Sequence, residues 1–467
     1  MIAALKPYPE YKVSDVPWLG KIPARWDVRR MKLLLREVDS RSSTGKEQLL
    51  RVSQYTGVTQ RKSIDGSDAP DTRASSLVGY KRVTTDDLVI NIMLAWNGSM
   101  GVSRYEGIAS PAYCVYRFKS GARPWYYHEL LRLPLYKGRI KTAFTGVVES
   151  RLRLYSDDLG RIEALQPPPE EQDAIVRFLG YANGRLERAI RAKRKVVALL
   201  HEQKQAIIHR AVTRGLDPTA PLKPSGIPWL GDIPKHWEMK RIKYLLREVD
   251  HRSTSGSEPL LSMRRNHGLV LFAEHFTRPP QAATLVGFKI VRPGQFVVNR
   301  MQAGNGVIFA STLTGLVSPD YAVFDPIGDA NVEFLGELFR SRKVRAKFRA
   351  ESKGLGTGSS GFLRLYNDRL GAIHVALPPR DEQSAILRGL ADDLSGVNTA
   401  ITHLEREIAL LREYRTRLVA DVVTGKLDVR PAARQLPAEA VAPEAAVPAD
   451  DLADEVEAGS AGSEGDA

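Results

Sequence analysis

Two short runs carry the side chains best suited to recognising another molecule through hydrogen bonds. They are Ser53-Gln54-Tyr55-Thr56 and Arg264-Arg265-Asn266-His267. Each lies between a Leu-Leu pair (Leu49-Leu50, Leu260-Leu261) and a glycine (Gly57, Gly268). In the DNA major groove arginine makes paired hydrogen bonds to guanine, and asparagine or glutamine to adenine. An ordinary variable surface loop would show the same pattern. Both readings stand at this point.

Other candidate chemistry is thin. Gly356–Gly361 satisfies G-x-G-x-x-G, but Phe-Leu-Arg-Leu-Tyr follows it rather than the start of a helix, so a flexible loop is the better expectation. No G-x-x-x-x-G-K-[ST] loop and no Asn/Asp-Pro-Pro-Tyr/Phe signature occurs; Pro279-Pro280 and Pro378-Pro379 lack the required neighbours. The nine histidines are scattered without metal-motif spacing. The lone Cys114 sits in PAYCVYRF and reads as a small buried hydrophobe, and one thiol excludes an internal disulfide framework. Pro319-Asp320 is Pro111-Ala112 in a matching segment, which favours a structural turn over a nuclease carboxylate. No catalytic residue, metal or cofactor is expected.

Charge gives the first positive direction. The chain of 467 residues carries +14, yet Pro431–Ala467 holds nine acidic residues and one basic, a net −8. Residues 1–430 therefore carry +22, which favours polyanionic partners. No apolar run of about 18 residues occurs, so no membrane span is expected, and the first residues lack the apolar core of a secretory signal. A reducing, cytoplasmic setting follows as an expectation.

The elements that must position the two polar runs come from a duplication. Between residues 16–53 and 227–264, 21 of 38 positions are identical at an offset of 211. SLVGYKRV (76–83) returns as TLVGFKIV (284–291), and SPAY (110–113) as SPDY (318–321). LRLYSDDLGRIEALQPPPEEQDAI (152–175) returns as LRLYNDRLGAIHVALPPRDEQSAI (363–386). The polar runs thus occupy equivalent places in one kept frame while their side chains differ. Each copy opens with short β-rich runs such as Leu88–Met93 and Phe296–Met301 between Gly and Ser turns. An α+β domain is expected in each.

Proline and carboxylates at Pro167–Glu171 and Pro378–Glu382 then mark helix starts. In the second helix Leu390, Leu394, Val397, Ile401, Leu404, Ile408, Leu411, Leu418 and Val422 follow steps of four and three, with Arg415 as the break. In the first, Leu179, Leu186, Ile190, Val197, Leu200, Ile207 and Ala211 form a looser seam interrupted by Asn183, Lys193 and Lys204. The expected fold class is α+β: two tandem globular domains joined by two long helices that form an antiparallel coiled coil, a pseudo-two-fold internal repeat. The expected limits are 1–165 and 216–376 for the domains, 166–215 and 377–428 for the helices, and 429–467 for an acidic, disordered tail. A helix of about 45 residues spans nearly 70 Å, so two heads on such a spacer suit two DNA half-sites separated by ignored bases. The unlike heads predict a bipartite, non-palindromic target. The antiparallel arrangement also requires the surroundings of Trp18 and Leu427 to meet.

With these motifs in order, the chain resembles the specificity subunits of type I restriction–modification systems over nearly all of residues 1–430. The resemblance rests on PWLG-x-IP-x-x-W at Pro17–Trp26 and Pro228–Trp237, the segments Asn91–Tyr113 and Asn299–Tyr321, and PP-x-x-EQ at Pro167–Gln172 and Pro378–Gln383. It implies two target-recognition domains and a helical spacer on which methyltransferase subunits, two of them, dock on a complex bound to double-stranded DNA. Restriction (motor–nuclease) subunits join that assembly. Methylation and cleavage, with S-adenosylmethionine and ATP, belong to those partners, so this chain is expected to be no enzyme. The alternatives are a DNA-binding coiled-coil scaffold without such partners and, remotely, a nuclease.

Overall fold

The computed structural model describes residues 5–61, 74, 76–144, 153–264, 267–276, 279–355 and 362–437. The chain forms two compact units, one of residues 1–192 with 407–467, the other of 193–406.

In the first unit an apolar run, Leu88–Asn91, has every residue buried, as suits a central strand. It pairs antiparallel with Tyr113–Phe118 (Cys114 opposite Ile90) and with Met100–Val102, and Leu35–Glu37 adds to the far side of Tyr113–Phe118. The strand stops short of Met93 because the Asn91 side chain accepts a hydrogen bond from the Met93 amide (3.2 Å), turning the chain. Two-stranded ribbons surround this sheet: Leu50–Ser53 with Gly57–Gln60, Lys81–Val83 with Gly107–Ala109, and Asp27–Arg30 with Glu163–Gln166. Helices Pro124–Leu131 and Pro134–Thr142 bury Tyr126, Tyr127, Leu130 and Tyr136 in a core shared with Trp26 and Met31. Their first residues are prolines, at the position where a missing N–H costs least.

The second unit repeats this sheet and its ribbons. Its four-stranded sheet runs Leu246–Val249, Ala322–Pro326, Phe296–Val298, Ile308–Ala310. Its ribbons are Leu261–Arg264 with Gly268–Leu271, Lys289–Val291 with Gly315–Val317, and Glu238–Arg241 with His374–Leu377. Asn299 accepts from the Met301 amide (3.1 Å), as Asn91 does from Met93. The frame tolerates changed chemistry: the Asp87–Arg117 ion pair (2.9 Å) is replaced by Gln295 donating to Asp325 (2.7 Å).

The long helices are Pro169–Arg214 and Arg380–Val423, with Glu170, Glu171, Asp381 and Glu382 in their first turns. Within the first unit Ile175, Phe178 and Leu179 share a core with Leu418, Val422 and Val423, and Glu187 pairs with Arg415 (3.1 Å). Within the second, Ile208, Ala211 and Val212 share one with Ile386 and Leu390, and Lys204 donates to Asn398 (2.7 Å). In both the helices run antiparallel, the arrangement expected of the coiled coil. All sixteen apolar residues assigned to the two seams are buried or half-buried: Leu179, Leu186, Ile190, Ala211, Leu390, Ile401, Ile408, Leu418 and Val422 buried, Val197, Leu200, Ile207, Leu394, Val397, Leu404 and Leu411 half-buried. Arg415, the break in the pattern, is placed by its carboxylate partner.

The repeated motifs weld each domain to a helix start. Trp26 and Trp237 are fully buried, and their indole N–H groups donate to Glu171 (2.9 Å) and Glu382 (3.0 Å). Gln172 accepts from the Arg123 amide and donates to the Gly121 and Pro167 carbonyls; Gln383 does the same with Asn331, Asp329 and Pro378.

The first unit closes on its own C-terminal part. Trp18 and Leu427 pack against one core, Lys6 bridges to Asp428, and the Tyr11 hydroxyl donates to the Lys426 carbonyl (3.1 Å). One expectation needs correction here. Residues 429–437, assigned to the disordered tail, belong to the fold: Arg430–Arg434 is helical, Val429 and Ala433 are buried, and Arg177 donates to the Leu436 carbonyl (2.7 Å). The acidic composition further along hid that apolar turn. Residues 438–467 lie outside the described ones.

Candidate nucleic-acid interface

In the first unit the polar run caps a hairpin. Leu50–Ser53 and Gly57–Gln60 pair with Ser53 opposite Gly57, leaving Gln54, Tyr55 and Thr56 as the loop. Gly57 has φ +70° and its counterpart Gly268 +78°, a left-handed closure that a glycine adopts without strain. Ser53 is buried, and its hydroxyl accepts from the Tyr55 amide (3.1 Å), so it builds the turn. Gln54 and Thr56 are half-buried and Tyr55 is exposed.

Arg132 holds this tip. Its guanidinium donates to the Gln54 (2.9 Å) and Tyr55 (2.8 Å) carbonyls with one nitrogen, and to those of Gly98 (3.2 Å) and Met100 (2.7 Å) with the other. The hairpin tip and the loop entering Met100–Val102 are thereby one piece. Arg132 sits one residue past helix Pro124–Leu131, on the same turn as His128 and Glu129. Burial, with Arg132 and Arg104 beside it, holds the His128 imidazole well below its ordinary pKa, so the ring is neutral. Its Nδ1 accepts from the Val102 amide (3.1 Å). Burial pushes the Glu129 carboxyl up, against the pull of Arg132, Arg415 and Arg104. Arg104 lies over the Trp125 ring at 3.9 Å. A cleft of about 440 Å³ opens behind the hairpin, lined among others by Thr56, Arg104, Glu129, Asn183 and Arg415.

In the second unit the equivalent hairpin pairs Arg264 with Gly268. Arg264 and His267 are exposed; the Arg264 guanidinium lies over the Phe276 ring (5.1 Å), and His267 stacks obliquely near His275 (5.8 Å). Arg265 and Asn266 lie outside the described residues, as does Gly356–Gly361. Pro319-Asp320 forms a turn, with Asp320 paired to Arg364 (3.7 Å). Among the described residues no group of three or more His, Cys, Asp or Glu is placed to hold a metal ion, and no helix is long and apolar enough to cross a membrane.

The sequence reading missed Arg132. A signal existed, since Glu129 and Arg132 recur as Glu337 and Arg340 at an offset of 208. In the second unit those two pair directly (2.5 Å) and Arg340 lies over Phe309 (5.6 Å).

No protein-family model and no curated protein matches the chain. Solved structures do. One is a chain from a study of complex assembly and conformational transition of the type I R-M system: 15% identity, TM-score 0.58, covering 87% of this chain and 99% of that one. Another is the HsdS subunit from Thermoanaerobacter tengcongensis, at 16% identity and TM-score 0.43, covering 87% and 98%. A third is the type I restriction–modification S subunit of M. genitalium, at 11% identity and TM-score 0.33, covering 90% and 99%. The first of these shows that the fold is shared with a component of a type I restriction–modification system, over nearly the full length of both chains.

Proposed function

We propose that this chain is the specificity subunit of a type I restriction–modification system. It reads a bipartite, non-palindromic site on double-stranded DNA, one half with each unit. Two methyltransferase subunits dock on the helical spacer, and restriction subunits complete the assembly in the cytoplasm. Methylation and cleavage, with their cofactors, belong to those partners, and this chain catalyses neither. The observation that carries the reading is the duplicated hairpin: one frame built twice, closed by Gly57 and Gly268, with Tyr55 exposed at the first and Arg264 and His267 at the second. Phosphate attraction from the +22 body supplies affinity without sequence, and unlike tips supply the difference between half-sites.

The test is co-purification of the tagged chain with the methyltransferase encoded beside it, followed by DNA binding and incubation with divalent metal. A stable complex that prefers one duplex sequence and leaves DNA uncut without the restriction subunit supports the reading. No methyltransferase in the complex would leave a DNA-binding scaffold; cutting by the chain alone would make it a nuclease.

A further inference from the structure

The loop latched to the first hairpin exposes a cluster of large apolar side chains. After Asn91 the chain exposes Met93 (42%), Leu94 (42%) and Trp96 (37%) on a single turn. Through Arg132 the carbonyls at the end of that loop, Gly98 and Met100, are tied to the same guanidinium as the tip carbonyls of Gln54 and Tyr55. The loop and the exposed Tyr55 therefore move as one rigid edge. Cations border it: Lys141 lies over the Trp96 ring at 5.3 Å, and the Lys137 side chain lies against Gly98.

We infer that Met93, Leu94 and Trp96 form a wedge that stacks on or between bases of the half-site read by the first unit. This rests on the reading that the unit binds DNA, and goes beyond it by assigning a contact that distorts the duplex. Apolar side chains beside basic ones are the usual means of unstacking a base step, with the cations holding the flanking phosphates. A protein partner is the poorer occupant. Three side chains on one turn fall far short of the ~800 Å² per partner of a stable protein interface, and lysines are depleted at such interfaces.

The device is asymmetric. At an offset of 208 the second unit has Met301, Gln302 and Gly304 in these places, so one exposed apolar side chain, Met301 (45%), remains of three. A larger residue at Gly304 would be crowded, since a Cβ there would lie 3.0 Å from the Cβ of Arg349. The wedge thus predicts distortion in one half-site only.

The test uses the full chain with its methyltransferase partner and a duplex carrying the mapped site, with 2-aminopurine substituted at successive positions. Apart from the bases that the methyltransferase subunits flip for methylation, the unmodified complex brightens 2-aminopurine at one step of one half-site. The triple variant Met93→Ser, Leu94→Ser, Trp96→Ser loses that signal, and its affinity for the site falls roughly tenfold to a hundredfold, the range of aromatic–base stacking. Its salt dependence stays unchanged, because no phosphate contact is removed. Trp96→Phe, which keeps a stacking ring, retains most of both, and Met301→Ser matches the unmodified protein at that step; equal melting temperatures show that all are folded. Unchanged brightening and affinity in the triple variant, or loss of the methyltransferase instead of the signal, would overturn the wedge while leaving specific reading intact. An unmodified complex without any sequence preference would overturn the reading itself, and the wedge with it.

Discussion

Replacing Trp26 and Trp237 by phenylalanine should destabilise the two helix starts unequally. Both indoles are fully buried and both donate to the glutamate in the first turn of a long helix, at 2.9 and 3.0 Å. Phe removes the same atoms at each place, so the packing loss largely cancels in the comparison and the hydrogen bond remains. In the first unit the Glu171 side chain is 3% exposed, and its other oxygen has Arg430 at 4.0 Å. With water excluded and, among the described residues, only the Tyr8 hydroxyl and Arg430 beside it, losing the indole N–H there costs about 1.5–3 kcal/mol. In the second unit the Glu382 side chain is 29% exposed and also bonds His236 (2.7 Å). Water and the imidazole compensate, leaving a loss of about 1 kcal/mol. Hydrogen exchange at 169–176 in Trp26→Phe should therefore accelerate on the order of tenfold more than at 380–387 in Trp237→Phe. Equal acceleration, or a larger effect in the second unit, would refute the assignment of stability to the buried pair.

Other consequences can be measured on the same protein. Arg132→Met strands four carbonyl acceptors and should cost about 2–4 kcal/mol in denaturant unfolding, with faster exchange at 53–58; a silent substitution would mean that the latch does not hold the tip. The Glu47 carboxyl is held down to about 2 by the Ser42 hydroxyl and its own amide, with Thr44 and Arg82 adding to this. Its depressed value means that its stabilising effect is complete above the ordinary value of 4.5 and is lost as pH falls toward 2. Melting curves of Glu47→Gln and the unmodified protein should differ at neutral pH and converge in acid; a constant gap would contradict that. Leu418→Ala, at a buried seam position, should cost about 2–5 kcal/mol, and half-buried Leu411→Ala less, by chemical denaturation.

The duplication made the architecture legible. Two copies at constant offsets exposed the domain–helix order, and the seam from Leu390 to Leu418 marked a buried stripe by its spacing alone. The motif residues were visible but their work was not. Trp26 meets Glu171 across 145 positions and Gln172 meets Gly121 across 51, and such distant pairings leave no periodic trace. Arg132 was hidden for a related reason: it bonds backbone carbonyls, which carry no sequence identity. The hairpin that carries the first polar run was not legible in the sequence, nor was the side-chain direction that separates its members. Ser53 turns inward to build the loop while Tyr55 faces out. The short helix at Arg430 was masked by the acidic residues that follow it.

The central claim is that this chain chooses the DNA sequence on which its partners act. Sequencing of methylated bases in host DNA, with this gene present and deleted, tests it most directly. The account predicts one bipartite, non-palindromic motif that disappears with the gene and returns with it, and whose first-unit half alone changes when residues 54–56 are exchanged. Methylation that is unchanged by deletion would contradict it.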